Sequence, residues 1–257
     1  QHLDLIGGLP FENLDSFRKS FDDVYALHPQ QLQLGFLKVL KGSWMWENKE
    51  AYGLVYQNRE PYEVLFTKWI SYGELLKLKQ VEEMVEIYYN SGQFVHTMKA
   101  LEKRYSACFE LYEGLGDFYV RTGRNKVSHS RAERYEILLK FVTDRFPKEE
   151  DLFRELLTLD YYLRENAKSR PAWAKEMEPA GAEKREIYRR MAQKDELSHY
   201  RQCDQRQFQR MTHLESFRHD VLGTGNNGGY MVLFDYLRRD PLYGAAKCHI
   251  VTREEKE

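Results

Sequence analysis

Cysteine and histidine side chains that could ligate a metal occur in the last quarter of the chain: Cys203, His213, His219, Cys248 and His249. A zinc site usually declares itself through a close Cys-x2-Cys or His-x3-His pair, and these residues form no such pair. The cysteines, with Cys108, are odd in number and far apart, which favours reduced thiols over a disulfide framework. We therefore expect ordinary strand and helix residues here and no metal site.

A glycine-rich segment, Gly223-Thr-Gly-Asn-Asn-Gly-Gly229, could cradle a phosphate with its backbone N–H groups. A phosphate loop joins a strand to a following helix and supplies Lys and Ser or Thr. Here a strand pattern follows the glycines and the Lys is missing. The segment therefore predicts a hairpin loop. A second polar stretch contains Arg164, Arg170 and Trp173, which either line a pocket or anchor a loop, and both interpretations stay open.

The opening stretch combines a chemically useful turn with the elements needed to position it. Residues 2–6 read as a strand, Gly7-Gly8-Leu9-Pro10 as a turn, and residues 14–27 as a helix capped by Asn13 or Asp15. Leu32 to Leu37 reads as a second strand, which predicts a right-handed βαβ unit with a parallel pair. Ligands collect beyond the ends of such strands, where backbone N–H groups are free. A phosphate ligand is disfavoured because no Lys or Ser/Thr follows the Gly7-Gly8 turn.

The remaining chain is mainly helical. A short helix is expected from Trp44 to Tyr52, a hairpin or extended connection over 54–66, and a long helix that starts at the Ser71-x-x-Glu74 capping box. Further helices are predicted near 93–105, 107–121, 130–145, 148–164 and 181–198. Alternation over 208–221, 230–236 and 246–251 predicts a small antiparallel sheet. We divide the chain into residues 1–55, a helical domain over 56–205, and the sheet over 206–257.

Composition excludes several classes of function. The chain of 257 residues has 39 Lys and Arg against 40 Asp and Glu, so no general attraction to nucleic acid or membrane surfaces is expected. No apolar run approaches the length of a transmembrane helix. No signal peptide is visible. With reduced cysteines, these features predict a cytoplasmic protein.

A resemblance to a known family enters through the opening stretch. Asp4, Ile6, Gly8, Pro10 and Glu12 match the motif Asp-x-Ile-x-Gly-x-Pro-Gly-Glu of the fifth strand of radical S-adenosylmethionine barrels, with Phe11 where Gly is common. Lys41-Gly42-Ser43 resembles the turn after the sixth strand, with Lys41 and Ser43 as departures. The stretch from Asp4 to Gly92 is more specifically similar to cobalamin-binding-domain Fe-S oxidoreductases of that superfamily. Gln33 to Ser43 and Tyr88-Tyr89-Asn90-Ser91-Gly92 carry this closer similarity.

The resemblance implies a fold and a cofactor pocket. It implies an α/β remnant, the last two strands and helices of a partial TIM-type barrel, followed by a mainly α-helical domain with a small antiparallel sheet. S-adenosylmethionine would contact Ile6 as an apolar wall, Gly8 through close backbone approach, and the backbone of Phe36, Leu37 and Lys38. A [4Fe–4S] cluster would cleave this cofactor for radical hydrogen abstraction from an unknown substrate, and cobalamin is a further cofactor that the resemblance allows.

The cluster needs a Cys-x3-Cys-x2-Cys loop, which this chain does not contain. The chain also starts inside a strand pattern without an initiator Met. We therefore expect a fragment that binds no cofactor and is not catalytic alone, with no catalytic residue of its own. Its partners would be the upstream half of its barrel and a cobalamin-binding domain, and its exposed strand edge would favour dimerisation. The alternative is a non-enzymatic helical interaction module with a βαβ edge.

Overall fold

The computed structural model describes residues 1–167, 169–175, 181–225 and 229–251. The chain forms two units, of which the first comprises Gln1–Gly92 and Met98–Ser128 and the second Gln93–Thr97 and His129–Glu257. The boundaries predicted near residues 55 and 205 lie inside the first and the second unit, respectively. Each unit is described separately below.

The first unit begins with the predicted parallel βαβ arrangement. Strands β1 (His2–Gly7) and β2 (Gln31–Phe36) pair in parallel, with His2 opposite Gln31 and Gly7 opposite Phe36. Helix α1 (Leu14–Tyr25) connects them and begins with a capping box, in which Asn13 and Ser16 each accept the other's backbone N–H. Parallel pairing is limited to these two strands in the described ranges, which form no barrel.

The segment after β2 is built from short elements. The predicted helix from Trp44 to Tyr52 is two helices, α2 (Trp44–Glu47) and α3 (Lys49–Tyr52), because Asn48 leaves helical geometry and its side chain donates to the Trp44 carbonyl. Gly53 then ends α3 in the left-handed conformation. The predicted hairpin follows as the antiparallel strands β3 (Val55–Tyr56) and β4 (Val64–Phe66).

Of the next three α-helices, the first and the third belong to the first unit, and the second has residues of both units. Helix α4 (Tyr72–Val85) begins at the predicted Ser71–Glu74 capping box and continues as a π-helical turn through Asn90. Helix α5 (Val95–Glu102) and helix α6 (Cys108–Arg121) follow. Helix α6 approaches α4 closely at Gly116, where a Cβ would lie 3.1 Å from Gln80 Cβ. Buried tyrosines link the elements through their hydroxyls, with Tyr25 to Tyr112 at 3.0 Å and Tyr88 to Tyr119 at 2.8 Å.

In its described residues, the second unit has four complete α-helices and the antiparallel sheet. Helices α7 (Arg131–Arg145) and α8 (Glu150–Arg164) pack together, and α9 (Gly181–Met191) and α10 (Gln205–Met211) lie against the sheet. The helix predicted over 181–198 was too long. It ends at Met191, and a 3-10 turn over Asp195–Tyr200 then brings Leu197 and Tyr200 into the core.

Strands β5 (Thr212–Phe217), β6 (Tyr230–Arg239) and β7 (Ala246–Val251) form the predicted antiparallel sheet, in the order β5-β6-β7. The strand predicted from residue 208 was wrong at its start. Asp204 and Gln207 form a capping box that initiates α10, so the chain is helical until Met211. None of the helices in the described ranges combines the length and the apolar character needed to cross a bilayer.

Candidate functional site

The turn at the end of β1 has two residues in the left-handed region. Gly8 has φ +88° and Phe11 has φ +68°. Phe11 is the position at which the motif commonly has Gly, the residue that adopts this conformation without cost. The ring of Phe11 is 74% exposed and lies against Trp69, at a centroid distance of 4.6 Å, and against Tyr52, at 5.9 Å. The turn therefore has the geometry that suits Gly at position 11, although the chain has Phe there.

The glycine at position 8 is required by packing. A Cβ on Gly8 would lie 2.6 Å from Val64 Cγ1, and the positive φ would strain any other residue. Val64 of strand β4 thus occupies the space that a side chain at position 8 would need. Close approach of a cofactor to Gly8 stays a prediction, and the glycine itself is explained without one.

One face of the β1–β2 pair is uncovered. Leu32 and Leu34 are buried on the opposite face, where Leu3 and Leu5 are half-buried. The uncovered face, called here the open face, consists of His2, Asp4, Ile6, Gln33 and Gly35. Ile6 is 46% exposed there. Parallel sheets are normally covered on both faces, so this face is where a further element or a ligand is expected.

Gly35 lies on the open face directly opposite Ile6. The nearest atom to a Cβ built on Gly35 is the Leu5 carbonyl oxygen at 3.8 Å, so packing in the structure would tolerate a larger residue. A glycine inside a strand weakens it and often marks close approach of a ligand or another backbone. Sequence reasoning did not select Gly35, although a glycine inside the Leu34-Gly35-Phe36 run was the available signal.

The predicted residues at the end of β2 are engaged by neighbours. The Leu37 N–H donates to the Gly7 carbonyl at 3.0 Å, and the Leu37 carbonyl accepts the Val64 N–H at 2.8 Å. Lys38 forms an isolated antiparallel bridge with Glu63, and its side chain is exposed. Lys79 Nζ lies 4.5 Å from the ring centroid of Phe36. The structure thus brings Phe36 and Leu37 next to the end of β1, with Ile6 and Gly8 on the adjacent strand and turn.

Two charged groups accompany this region. Burial raises the pKa of Glu12, and a hydrogen bond from the Ser20 hydroxyl at 3.5 Å partly offsets that rise. On the open face, His2 Nε2 lies 2.9 Å from Asp4 Oδ1 and 3.2 Å from Gln33 Oε1. The open face thus carries polar groups at one end and the apolar Ile6 at the other.

Several histidines of the second unit face carboxylates, and His199 and His249 share one: His199 Nε2 lies 2.9 Å from Asp235 Oδ2, and His249 Nε2 lies 4.0 Å from the same oxygen. His213 Nε2 lies 3.1 Å from Glu215, His219 Nδ1 3.2 Å from Glu155, and His249 Nδ1 3.1 Å from Glu196. The hydrogen bond from His249 lowers the pKa of Glu196. No group of three or more His, Cys, Asp or Glu side chains in the described ranges has an arrangement that could hold a metal ion.

Two of the cysteine thiols have a raised pKa and are therefore protonated at neutral pH. Burial raises the pKa of Cys248 to about 12. Burial, with the nearby carboxylates of Glu102 and Asp22, raises the pKa of Cys108 to about 12 as well. Metal ligation and nucleophilic attack require the thiolate, so neither cysteine is prepared for these roles.

The glycine-rich loop joins antiparallel β5 and β6, as predicted, although its residues 226–228 lie outside the described residues. The carboxylate of Asp220 accepts the N–H groups of Thr224, at 2.8 Å, and Gly225, at 2.6 Å. Burial alone would raise the pKa of Asp220, but these hydrogen bonds outweigh it and lower the pKa. An acidic side chain thus occupies amides that a phosphate would need.

A cavity of about 760 Å³ opens in the second unit between the end of α8, helices α9 and α10, and β5. Its lining includes Arg170, Lys184, Arg185, Arg210, His213 and Tyr162. Arg170 Nη2 donates to both oxygens of the buried Glu215, at 2.7 and 2.6 Å, and the ring of His213 stacks on Tyr162 at 3.7 Å. Arg170 was expected either to line a pocket or to anchor a loop, and the structure shows that it lines a pocket.

Trp173 and Arg164 anchor local structure. The ring of Trp173 stacks on Tyr135, with centroids 5.7 Å apart, and its carbonyl accepts a hydrogen bond from Arg154. Arg164 donates to the Tyr243 carbonyl. The loop-anchor interpretation therefore holds for these two residues.

Comparison with known families gives a match over most of the chain. A family model described as "Protein of unknown function (DUF4080)" matches residues 50–234, which run from α3 in the first unit to β6 in the second. No curated protein matches the chain. The cavity of the second unit lies within the matched residues, whereas β1, α1 and β2 precede them. Because the match covers well over half of the sequence, the chain belongs to the DUF4080 family of proteins of unknown function.

Proposed function

We propose that the β1–α1–β2 unit is part of a radical S-adenosylmethionine barrel in the parent protein and that its open face contacts the adenosyl end of the cofactor. The parent would be an Fe-S oxidoreductase or transferase acting on an unknown substrate. S-adenosylmethionine, when bound and cleaved, would be the source of the radical that abstracts a hydrogen atom from the substrate. The residues of this chain would bind and orient it: Ile6 as an apolar wall, with the backbone of Phe36, Leu37 and Lys38 beside it.

The open face is the observation that carries this proposal. In a TIM-type barrel the helices cover the outside of the strands, and the other face of the strands points into the barrel. The β1–β2 pair has a leucine face on one side and the open face on the other. Ile6 supplies exposed apolar surface, and Gly35 beside it leaves room for a ligand to reach the backbone.

The turn after β1 adds independent support for the motif. The left-handed φ of Phe11 falls at the position where the resembled motif commonly has Gly. An accidental match of residue letters has no reason to put that conformation at that position. The match between motif and backbone therefore favours the fifth-strand assignment.

The residues of this chain do not fit an iron–sulfur cluster. A [4Fe–4S] cluster needs several cysteine thiolates close together. The chain has three free cysteines, of which Cys108 lies in the first unit and Cys203 and Cys248 lie in the second. In the proposal, the cluster cysteines, the other strands and any cobalamin-binding domain belong to residues outside this chain. The outer edge of β1 would pair with such a strand or, in the chain alone, with a second copy.

Cofactor binding tests the proposal. The natural full-length protein is purified anaerobically, and its affinity for S-adenosylmethionine is measured by equilibrium dialysis. Ile6→Glu places a charge on the open face and should weaken binding at least tenfold. Leu76→Glu is the matched control, because Leu76 is 40% exposed on α4, close to the 46% of Ile6. It should change the affinity by less than twofold.

The outcomes separate the candidate functions. Selective loss in Ile6→Glu supports a cofactor face. Absence of S-adenosylmethionine binding in the wild-type protein, or equal effects of the two variants, would overturn the proposal and favour the non-enzymatic interaction module. The parent reading frame gives a second check. Because a TIM barrel takes about 250 residues, a Cys-x3-Cys-x2-Cys loop must occur within roughly 200 residues upstream.

A further inference from the structure

The cavity in the second unit has a volume that suits a small molecule. Its volume of about 760 Å³ lies in the range of roughly 300–1,000 Å³ that is typical of ligand pockets. Four of its lining residues are cationic, Arg170, Lys184, Arg185 and Arg210, and the described residues that line it include no Asp or Glu. A concave site with one sign of charge concentrates ligands of the opposite sign.

Arg170 is held in place before any ligand arrives. Its Nη2 donates to both oxygens of Glu215, and its Nη1 donates to the Lys175 carbonyl at 3.0 Å. The side chain of Glu215 is only 1% exposed, so this ion pair is shielded from solvent. Glu215 offsets the positive charge of Arg170. The role of Arg170 is therefore to form part of the cavity wall, and it contributes little to the attraction of an anion.

Arg185 on α9 and Arg210 on α10 supply the attraction. Neither guanidinium has an ion pair or a hydrogen bond to another residue in the described part of the chain, and both residues are exposed toward solvent. A guanidinium presents a planar fork of donors that matches the oxygens of phosphate and carboxylate groups. Two such forks at one cavity favour a ligand with at least two negative charges.

The charge balance of the chain argues for a small ligand. The whole sequence has a formal net charge of −1, so it lacks the broad positive surface that nucleic-acid binding requires. Four of the 39 Lys and Arg side chains line this one concave space. Polar side chains of Ser169 and Gln209 also line it and can hydrogen-bond a hydrophilic ligand.

We propose that this cavity binds a small organic anion that carries two or more phosphate or carboxylate groups. The site shares no residue with the proposed cofactor face, since the described residues that line it all belong to the second unit. It would give the DUF4080 part of the chain a ligand-binding role of its own.

Calorimetric titration with two probes tests the proposal, using the natural full-length protein. Inorganic pyrophosphate represents phosphate ligands, and citrate represents carboxylate ligands. The variant Arg185→Gln/Arg210→Gln should weaken binding of the preferred probe at least tenfold. Arg189→Gln/Arg206→Gln is the matched control, because it removes the same charge from exposed positions of the same two helices outside the cavity lining. It should weaken binding by less than twofold.

Each result decides the proposal. Tighter binding of pyrophosphate identifies phosphate chemistry, and tighter binding of citrate identifies carboxylate chemistry. Absence of binding of both probes at millimolar concentration would overturn the proposal, as would equal weakening in the two double variants, which indicates general surface charge. Since all four arginines are exposed, circular dichroism and thermal melting of both variants should match the wild type, so folding defects do not obscure the comparison.

Discussion

Phe11 has a left-handed backbone conformation, which is energetically unfavourable for a residue with a Cβ atom. The cost for a residue with a Cβ is about 1–2 kcal/mol. Its ring is 74% exposed and touches Trp69 and Tyr52, so these contacts offset part of the cost while little surface is buried. The sequence motif indicated that this position differs from the usual Gly. It did not indicate what the Phe11 ring contacts, because its aromatic partners lie in α3 and after β4.

Glycine and alanine substitutions at Phe11 test this strain. Both remove the ring contacts, but only glycine relieves the backbone, so Phe11→Gly should be more stable than Phe11→Ala by about 1 kcal/mol. Urea denaturation measures the difference. At Lys19, inside α1, the order should be reversed because Ala is the better helix former. An Ala variant at position 11 that equals or exceeds the Gly variant in stability would contradict the left-handed assignment.

At the scale of the elements, a side chain forms hydrogen bonds with the backbone of β2 that a neighbouring strand would otherwise form. The amide of Asn90 accepts the Leu32 N–H and donates to the Leu32 carbonyl, both at 2.9 Å, and so takes the place of a neighbouring strand. Local signals predicted helix starts in both units, because the capping boxes at Asn13 and Ser71 in the first unit and at Ser130 in the second are each encoded within four residues. Contacts such as Asn90 to Leu32 join distant residues, and no local pattern encodes them.

The same contrast explains the errors and omissions. The 3-10 turn over Asp195–Tyr200 forms because Leu197 and Tyr200 pack into a core that includes residues of α10 and the sheet. Helical periodicity alone continues through it. The cavity as a whole was also not predictable, since Arg170, Arg185 and Arg210 come from three separate segments. Of these, Arg170 alone was expected either to line a pocket or to anchor a loop.

Replacing Asn90 tests the side-chain contact with β2. Asn90→Ala leaves the N–H and the carbonyl of Leu32 without their partner, and Leu32 is 1% exposed. We expect the free energy of unfolding to fall by about 2 kcal/mol. Asn58→Ala, at an exposed turn position, should change it by less than about 0.5 kcal/mol. Similar losses in both variants would show that the Asn90 amide does not stabilise β2.

At the scale of the whole molecule, the two units carry different kinds of candidate site. The first presents an open strand face next to a motif-bearing turn, and the second presents a cationic cavity within the DUF4080 match. The proposals are therefore separable by experiment. Loss of anion binding would leave the cofactor proposal intact, and absence of S-adenosylmethionine binding would leave the cavity proposal intact.

Hydrogen exchange with mass spectrometry tests the central claim most directly, because it shows where on the chain S-adenosylmethionine acts. The natural full-length protein is compared with and without saturating cofactor. The account predicts slower exchange of amides in residues 2–8 and 31–38, with no change in α7, the helix Arg131–Arg145 of the second unit. Unchanged exchange in both strand segments, while the cofactor is bound, would contradict the assignment of the open face to S-adenosylmethionine.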